Sequence, residues 1–169
     1  TPGDAEGIQT VYMETWLDTY PNDEAGITKE DIAFMFKDAF TDETLWQRRE
    51  ALAKAPERGR FLLIAKDGEK VTGLCGAAIL GGFNKLGLIY VLPWYQGKGI
   101  GKKLWDAIVP FLDKEKSTIV QVATYNTQAI EFYKKLGFAD TGKRISDEKW
   151  RMKSGAVIPE MEMCLRATR

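Results

Sequence analysis

The residues Gln96-Gly97-Lys98-Gly99-Ile100-Gly101 follow the apolar run Leu86 to Leu92 and the turn Pro93-Trp94-Tyr95. They open an amphipathic helix expected to run to about Glu115. Strand, glycine-rich turn and helix in that order make a place to hold phosphate. Successive backbone N–H groups point into one concavity, and the helix dipole adds partial positive charge there. Glycine suits such a turn because it accepts φ > 0 and lets a ligand come close to the backbone. Two common phosphate loops fail letter by letter. A nucleoside-triphosphate loop, G-x-x-x-x-G-K-[ST], would place Gln96 at the first glycine and Lys103 at the metal-binding hydroxyl. A dinucleotide fingerprint, G-x-G-x-x-G, would place Lys102 or Leu104 at the third glycine.

A third pattern, [Q/R]-x-x-G-x-[G/A], fits Gln96, Gly99 and Gly101. About 25 residues on, the segment Asn126 to Phe138 reads N-x-x-A-x-x-x-Y-x-x-x-G-F. Asn126 is a good N-cap. Ala129, Ile130, Tyr133 and Leu136 share one helical stripe, and Gly137 stops the helix before Phe138 starts a strand. A capped amphipathic helix with Tyr133 in the core explains each letter but not the pairing with the upstream loop. The two signatures, in this order and at this distance, resemble the GNAT superfamily of N-acetyltransferases. The resemblance covers nearly the whole chain from about residue 4, with its specific letters between 86 and 138.

The resemblance implies acetyl transfer from acetyl-CoA to a primary amine by direct attack, without an acyl-enzyme. It assigns the coenzyme A pyrophosphate to the backbone from Gln96 through Gly97, Lys98, Gly99, Ile100 and Gly101, with Lys98, Lys102 and Lys103 adding charge. Lysines in a first helical turn oppose the helix dipole, which favours a ligand role for them. Backbone groups of Ile89, Tyr90 and Val91 would pair with the pantetheine arm as an added strand would, and the Val91 N–H would polarise the thioester carbonyl. Asn126 would bond the same arm. Tyr133 would sit beside the sulfur and protonate the departing thiolate, as a phenol near ~10 and a thiol near ~8.5 can exchange protons.

The general base stays open. The family often carries a Glu on the central strand, but Leu86 to Leu92 has no acid, and Tyr90 is its only ionisable side chain. Asp18, Asp23, Glu24, Glu30 or a water chain are candidates. The connection after the first helix normally walls the acceptor site, and here it brings Trp16, Tyr20, Asp23 and Glu24. That set suits a cationic amine such as a polyamine or a basic sugar. The expected partner is therefore a small-molecule amine. The alternatives are a peptide or protein amine, or a module that binds acyl-CoA without turnover.

Composition narrows the field independently. A chain of 169 residues with 44% hydrophobic and 28% charged residues suits one soluble domain, 1–169. Lys+Arg and Asp+Glu both number 24, so no net field draws it to nucleic acid or an anionic membrane. There is no histidine, which removes Ser-His and Cys-His nucleophiles and most zinc spacings, so no metal is expected. Cys75 and Cys164 lie far apart in strand-like runs. They read as buried thiols of a reducing compartment, the cytoplasm, with a disulfide between them as the alternative.

The elements that must position these residues follow from periodicity and breakers. Asp4 caps a first helix with Ile8, Val11, Tyr12, Thr15, Trp16 and Tyr20 on its apolar face. Thr28 caps a second and Asp42 a third, from Glu43 to Ala55. Strands are expected at Phe61–Ala65, Val71–Leu80 and Leu86–Val91, with a hairpin turn at 66–69. After the helix from the glycine loop come strand Thr118–Thr124, the Asn126 helix, and strands Phe138–Arg144 and Glu160–Ala167. This order argues an α+β fold in α/β/α layers: a mixed, mostly antiparallel sheet with helices on both faces. The resemblance adds that the sheet splays between the Leu86 and Thr118 strands. It also implies a first strand before the first helix; none is read here, so the numbered chain is expected to begin after it. The segment from Trp150 to Pro159 is expected to cover the acceptor site or to form a homodimer contact.

Overall fold

The computed structural model describes residues 1–167. Three helices come first, α1 (Ala5–Thr19), α2 (Lys29–Met35) and α3 (Asp42–Lys54), then three strands, β1 (Arg60–Asp67), β2 (Lys70–Ile79) and β3 (Asn84–Val91). There follow α4 (Ile100–Ile108), β4 (Thr118–Ala123), α5 (Thr127–Lys135), β5 (Ala139–Ser146) and β6 (Pro159–Leu165). The strands form one sheet in the order β1-β2-β3-β4-β6-β5. Only β3 and β4 run parallel; every other neighbouring pair is antiparallel. The expected α+β architecture is what the chain adopts. Among the described residues no strand precedes α1.

Local chemistry explains most boundaries. Thr28 caps α2, its hydroxyl accepting from Asp31 N–H while the Asp31 carboxylate receives the Thr28 N–H. α3 is capped by Thr41 rather than the expected Asp42: the Thr41 hydroxyl accepts from Thr44 N–H, and Asp42 instead stands in the first turn, where a negative charge meets the positive helix end. α4 ends at Ile108, well short of Glu115, and a 3-10 turn at Val109–Phe111 follows. Pro110 lacks the N–H that the next helical bond needs, and its ring crowds the carbonyl four residues back. Gly68 at φ +57 makes the turn between β1 and β2, which pair as Asp67↔Lys70. Both cysteines are free thiols, Cys75 buried and Cys164 half-buried.

Two apolar layers hold helices on opposite faces of the sheet. Leu104, Trp105 and Ile108 of α4 and Tyr133 of α5 pack with Leu86, Val120, Val122, Met161 and Met163. On the other face Ile8 and Val11 of α1 pack on Val71, Leu74 and Leu92. Trp16, Ile27, Ile32, Met152 and Ile158 form a third cluster beside it. No helix among the described residues is long and apolar enough to cross a membrane.

The α1–sheet contact depends on Gly7. A Cβ there would lie 2.6 Å from Cγ2 of buried Val71, a stiff β-branched side chain. In a helix interior Gly→Ala normally gains about 0.5–1 kcal/mol, whereas overpacking costs about 1–3 kcal/mol. Gly7→Ala is therefore expected to lower stability by about 1–2 kcal/mol in urea unfolding, against the helix-propensity trend.

Candidate active site

The site begins with a misfit between two strands. On β2, Gly76 and Ala77 are neighbours, but they pair with Leu88 and Leu86 of β3, so Gly87 has no partner and forms a bulge. The extra residue reverses the alternation of side chains. Leu86, Ile89 and Val91 all pack toward α4 and α5, while Leu88 and Tyr90 turn toward α1. At the same place β3 leaves β4. Their parallel pairing runs only from Asn84↔Thr118 to Leu86↔Val120, while β2 stays with β3 as far as Val91 and β6 stays with β4 as far as Ala123. The expected splay is present. A cleft of about 640 Å³ occupies it, lined by residues from both faces of the sheet.

Ile89, Tyr90 and Val91 line this cleft, and from Gly87 to Val91 the β4-side edge of β3 has no strand partner. An extended amide-bearing ligand can take the place of the absent strand. Gln96, Gly97, Gly99, Ile100, Gly101 and Lys102 line the same cleft where α4 starts. Gly97 and Gly99 take φ of +73 and +78, and a Cβ on either would meet no heavy atom within 4 Å. Here glycine serves conformation, not crowding. No side chain caps α4 at Gly99, so its first-turn N–H groups are left for an anion. The Gln96 amide donates to the Val91 carbonyl at 3.0 Å and accepts from Gln128 Nε2 at 3.1 Å, tying the loop to β3 and α5. Lys98 does not line the cleft; its ammonium lies 4.9 Å above the Tyr95 ring. Lys102 is paired with Asp106.

Asn126 and Tyr133 face the cleft from α5. Asn126 Oδ1 accepts from Ala129 N–H at 3.0 Å, the expected cap. Gly137, at φ +95, closes the helix: its N–H reaches the Lys134 carbonyl and the Phe138 N–H reaches the Tyr133 carbonyl. The stop motif thereby pins Tyr133, whose ring packs 5.7 Å from that of buried Phe138. Tyr133 is 5% exposed, and its hydroxyl has no hydrogen-bond partner among the described residues. No buried side-chain polar atom is left unsatisfied there, so this hydroxyl is the part that reaches the cleft. Burial, with Tyr90 and Cys75 nearby, pushes the phenol well above its ordinary value, which keeps it protonated at neutral pH.

The α1 end of the cleft is aromatic. Trp16 Nε1 donates to the Tyr90 hydroxyl at 3.1 Å, the Tyr20 and Tyr90 hydroxyls are 3.3 Å apart, and the Tyr125 hydroxyl donates to the Tyr20 carbonyl at 2.9 Å. Trp150 packs against Trp16 with the rings tilted and their centroids 5.4 Å apart, so the segment after β5 closes over this end. Ser154 holds that segment down through its N–H and hydroxyl, both donating to Asp31 at 2.9 Å. Trp16 and Tyr20 line the cleft as expected from the sequence, but Asp23 and Glu24 do not. They sit exposed in the tight turn closed by the Asn22↔Ile27 bridge. In their place the cleft holds Lys85, Gln121 and Glu160, which the sequence reading did not single out. The strand alternation of β6 could have flagged Glu160, an acid one residue before buried Met161 and so on the opposite face, paired with Ala123 at the end of β4.

Comparison with known proteins now decides the family. The model of the acetyltransferase (GNAT) family matches residues 12–138. The chain belongs to that family. It is an acetyl-CoA-dependent N-acetyltransferase. No curated protein sequence matches it. Among solved structures it is similar to the PaiA N-acetyltransferase of Thermoplasma acidophilum in complex with coenzyme A, with a TM-score of 0.73 and 21% identity over 98% of this chain and 94% of that one. It is also similar to the ribosomal-protein-alanine N-acetyltransferase of Brucella melitensis (TM-score 0.66, 20% identity, 98% and 96% covered). A third is YncA, a putative acetyltransferase of Salmonella typhimurium with acetyl-CoA (TM-score 0.65, 20% identity, 100% and 91% covered). These likenesses describe the fold. The residues of the cleft suit coenzyme A: open left-handed glycines and uncapped N–H groups for its diphosphate, and a free strand edge for its amide arm.

Since Gln96 ties the loop at two points, Gln96→Ala is expected to lower coenzyme A affinity about 10-fold by calorimetry, the equivalent of one or two side-chain hydrogen bonds of about 1 kcal/mol each. The melting temperature should move little.

Proposed function

We propose that the protein acetylates a small, positively charged primary amine by direct attack, with Tyr133 as the proton donor to the leaving sulfur. The observation that carries this reading is the Tyr133 hydroxyl: it is unpartnered among the described residues, kept protonated by burial, and aimed into a cleft that joins the two faces of the sheet. A phenol held in its neutral form is a donor, not a base. Bound acetyl-CoA supplies the thioester carbonyl that the amine attacks. The roles in holding it go to the backbone of Ile89, Tyr90 and Val91, to the loop from Gln96 to Gly101, and to Asn126. Lys98 and Lys102 contribute as cations at the loop rather than as contacts deep in the cleft. The whole of 1–169 is read as one acetyltransferase domain.

The acceptor enters from the α1 side. Trp16, Tyr20, Tyr90 and Trp150 make its walls, and π-faces with one carboxylate nearby favour a cation. Closure by the Trp150–Ile158 segment, anchored on Asp31, supports a small amine over a protein chain. The fold alone does not choose the acceptor, because the similar Brucella protein is a ribosomal-protein-alanine N-acetyltransferase.

Thiol release from acetyl-CoA in the presence of an amine panel and of short peptides tests the acceptor class; turnover with peptides alone would overturn the small-amine reading. For the donor, Tyr133→Phe is expected to reduce kcat about 100-fold, the low end of general-acid contributions, with coenzyme A affinity unchanged. Equal loss of both would make Tyr133 a packing residue.

A further inference from the structure

We infer that Glu160, on the last strand, receives the ammonium group of the acceptor and takes its proton, an inference that rests on the function proposed above. The central strand β3 brings no acid to the cleft, and of the side chains that line the cleft only Glu131 and Glu160 are carboxylates. Glu131 lies on α5 and is committed to Lys134 at 2.7 Å. Asp18, Asp23, Glu24 and Glu30 do not line the cleft. Glu160 pairs with Ala123 across β4, at the end of the strand where the gap is open, and with Ile145 across β5. Its alternation places it on the α1 face with Ile158, two residues earlier, which packs into the Trp16 cluster. The carboxylate is half-buried, and among the described residues it accepts no hydrogen bond and joins no ion pair. A half-buried carboxylate without a donor in an aromatic-walled cleft is complementary to a desolvated ammonium.

The groups around it set its basicity. Lys85 faces it from β3, with its ammonium donating to Gln121 Oε1 of β4 at 3.3 Å; Tyr20 just after α1, Tyr125 after β4 and Asp147 after β5 complete the surroundings. Burial pushes the Glu160 carboxyl up, Lys85 pulls it down and Asp147 pushes it up again, for a net rise. Burial also raises Tyr125 to about 12, with the Glu160 charge adding to it, so Tyr125 stays a neutral donor. A carboxylate with a raised pKa is a better base than an exposed one.

Glu160 takes one proton from R–NH₃⁺, which frees the nitrogen lone pair. That pair forms the N–C bond while the C–S bond breaks with its electrons on sulfur, and Tyr133 gives its proton to sulfur. The surplus proton on nitrogen restores Tyr133 through solvent, and Glu160 releases its own proton to water.

The test uses the full chain and four probe amines: putrescine, spermidine, tyramine and glucosamine. Glu160→Gln keeps the shape and removes the base. At pH 7 its kcat/KM should fall about 100-fold, with the deficit shrinking as pH rises toward ~10, where the amine deprotonates unaided. The acidic limb expected of wild type should disappear. Lys85→Met should move that limb to higher pH, because the cation that lowers the Glu160 pKa is gone. Calorimetry without acetyl-CoA should show amine affinity at least 10-fold weaker in Glu160→Gln, with coenzyme A affinity and melting temperature unchanged. A Glu160→Gln profile of wild-type shape, scaled or not, overturns the assignment. Absence of transfer by wild type to every probe would sink the proposed function instead; calorimetry then still decides Glu160, since equal or absent amine binding in both proteins overturns it.

Discussion

A sheet that stops pairing must leave backbone donors and acceptors facing something, and burial makes each unpaired group costly. Here that constraint is set by one residue. The bulge at Gly87 keeps β3 bound to β2 while releasing it from β4, and the strand edge so exposed is lined up with the glycine loop and the start of α4. The bulge also decides which side chains look which way. It sends Ile89 and Val91 to the α4–α5 face and Tyr90 to the α1 face. One inserted residue thus opens the cleft and sorts its two walls.

The two walls are stiffened by different means. On the α4–α5 face, Tyr133 is held by apolar packing and by the helix stop at Gly137, whose hydrogen bonds fix the last turn of α5. Its hydroxyl can therefore remain without a protein partner. On the α1 face the polar ends of Trp16, Tyr20 and Tyr90 satisfy one another while their rings supply area. That arrangement meets the requirement that buried hydroxyls and indole N–H groups find partners. Tyr90 belongs to both systems, because its backbone lies on the open edge and its side chain sits in the aromatic wall.

Much of this was legible in the sequence. The glycine loop, the Asn126 cap, the Gly137 stop and the succession of strands along the chain depend on local rules of φ, capping and alternation, and each stands where those rules put it. The splay was expected from family resemblance, but the bulge that causes it was not, because a bulge is a mismatch of register between two strands and neither strand shows it alone. Helix ends were off where a nearby residue competed: Thr41 displaced Asp42 as cap, and Pro110 cut α4 short. Glu160 was passed over because its significance depends on which strand lies beside the gap. Conversely, Asp23 and Glu24 looked like acceptor-site acids by position in the chain, yet a two-way bridge between Asn22 and Ile27 turns them outward.

The slot through the sheet has a consequence for how such a protein can change over time. One wall is a nearly continuous stretch, from Gly87 to Gly101, followed by α5, where backbone groups face the cleft and glycine conformation leaves little freedom. The opposite wall is assembled from the end of α1, the connection after β4 and the segment between β5 and β6, which are distant in the chain and mostly outside strand register. Lengthening or recolouring those pieces leaves the sheet and the loop untouched. A wall fixed by backbone conformation and a wall assembled from separable pieces meet at Tyr133, so the second can change its shape and charge without disturbing the first.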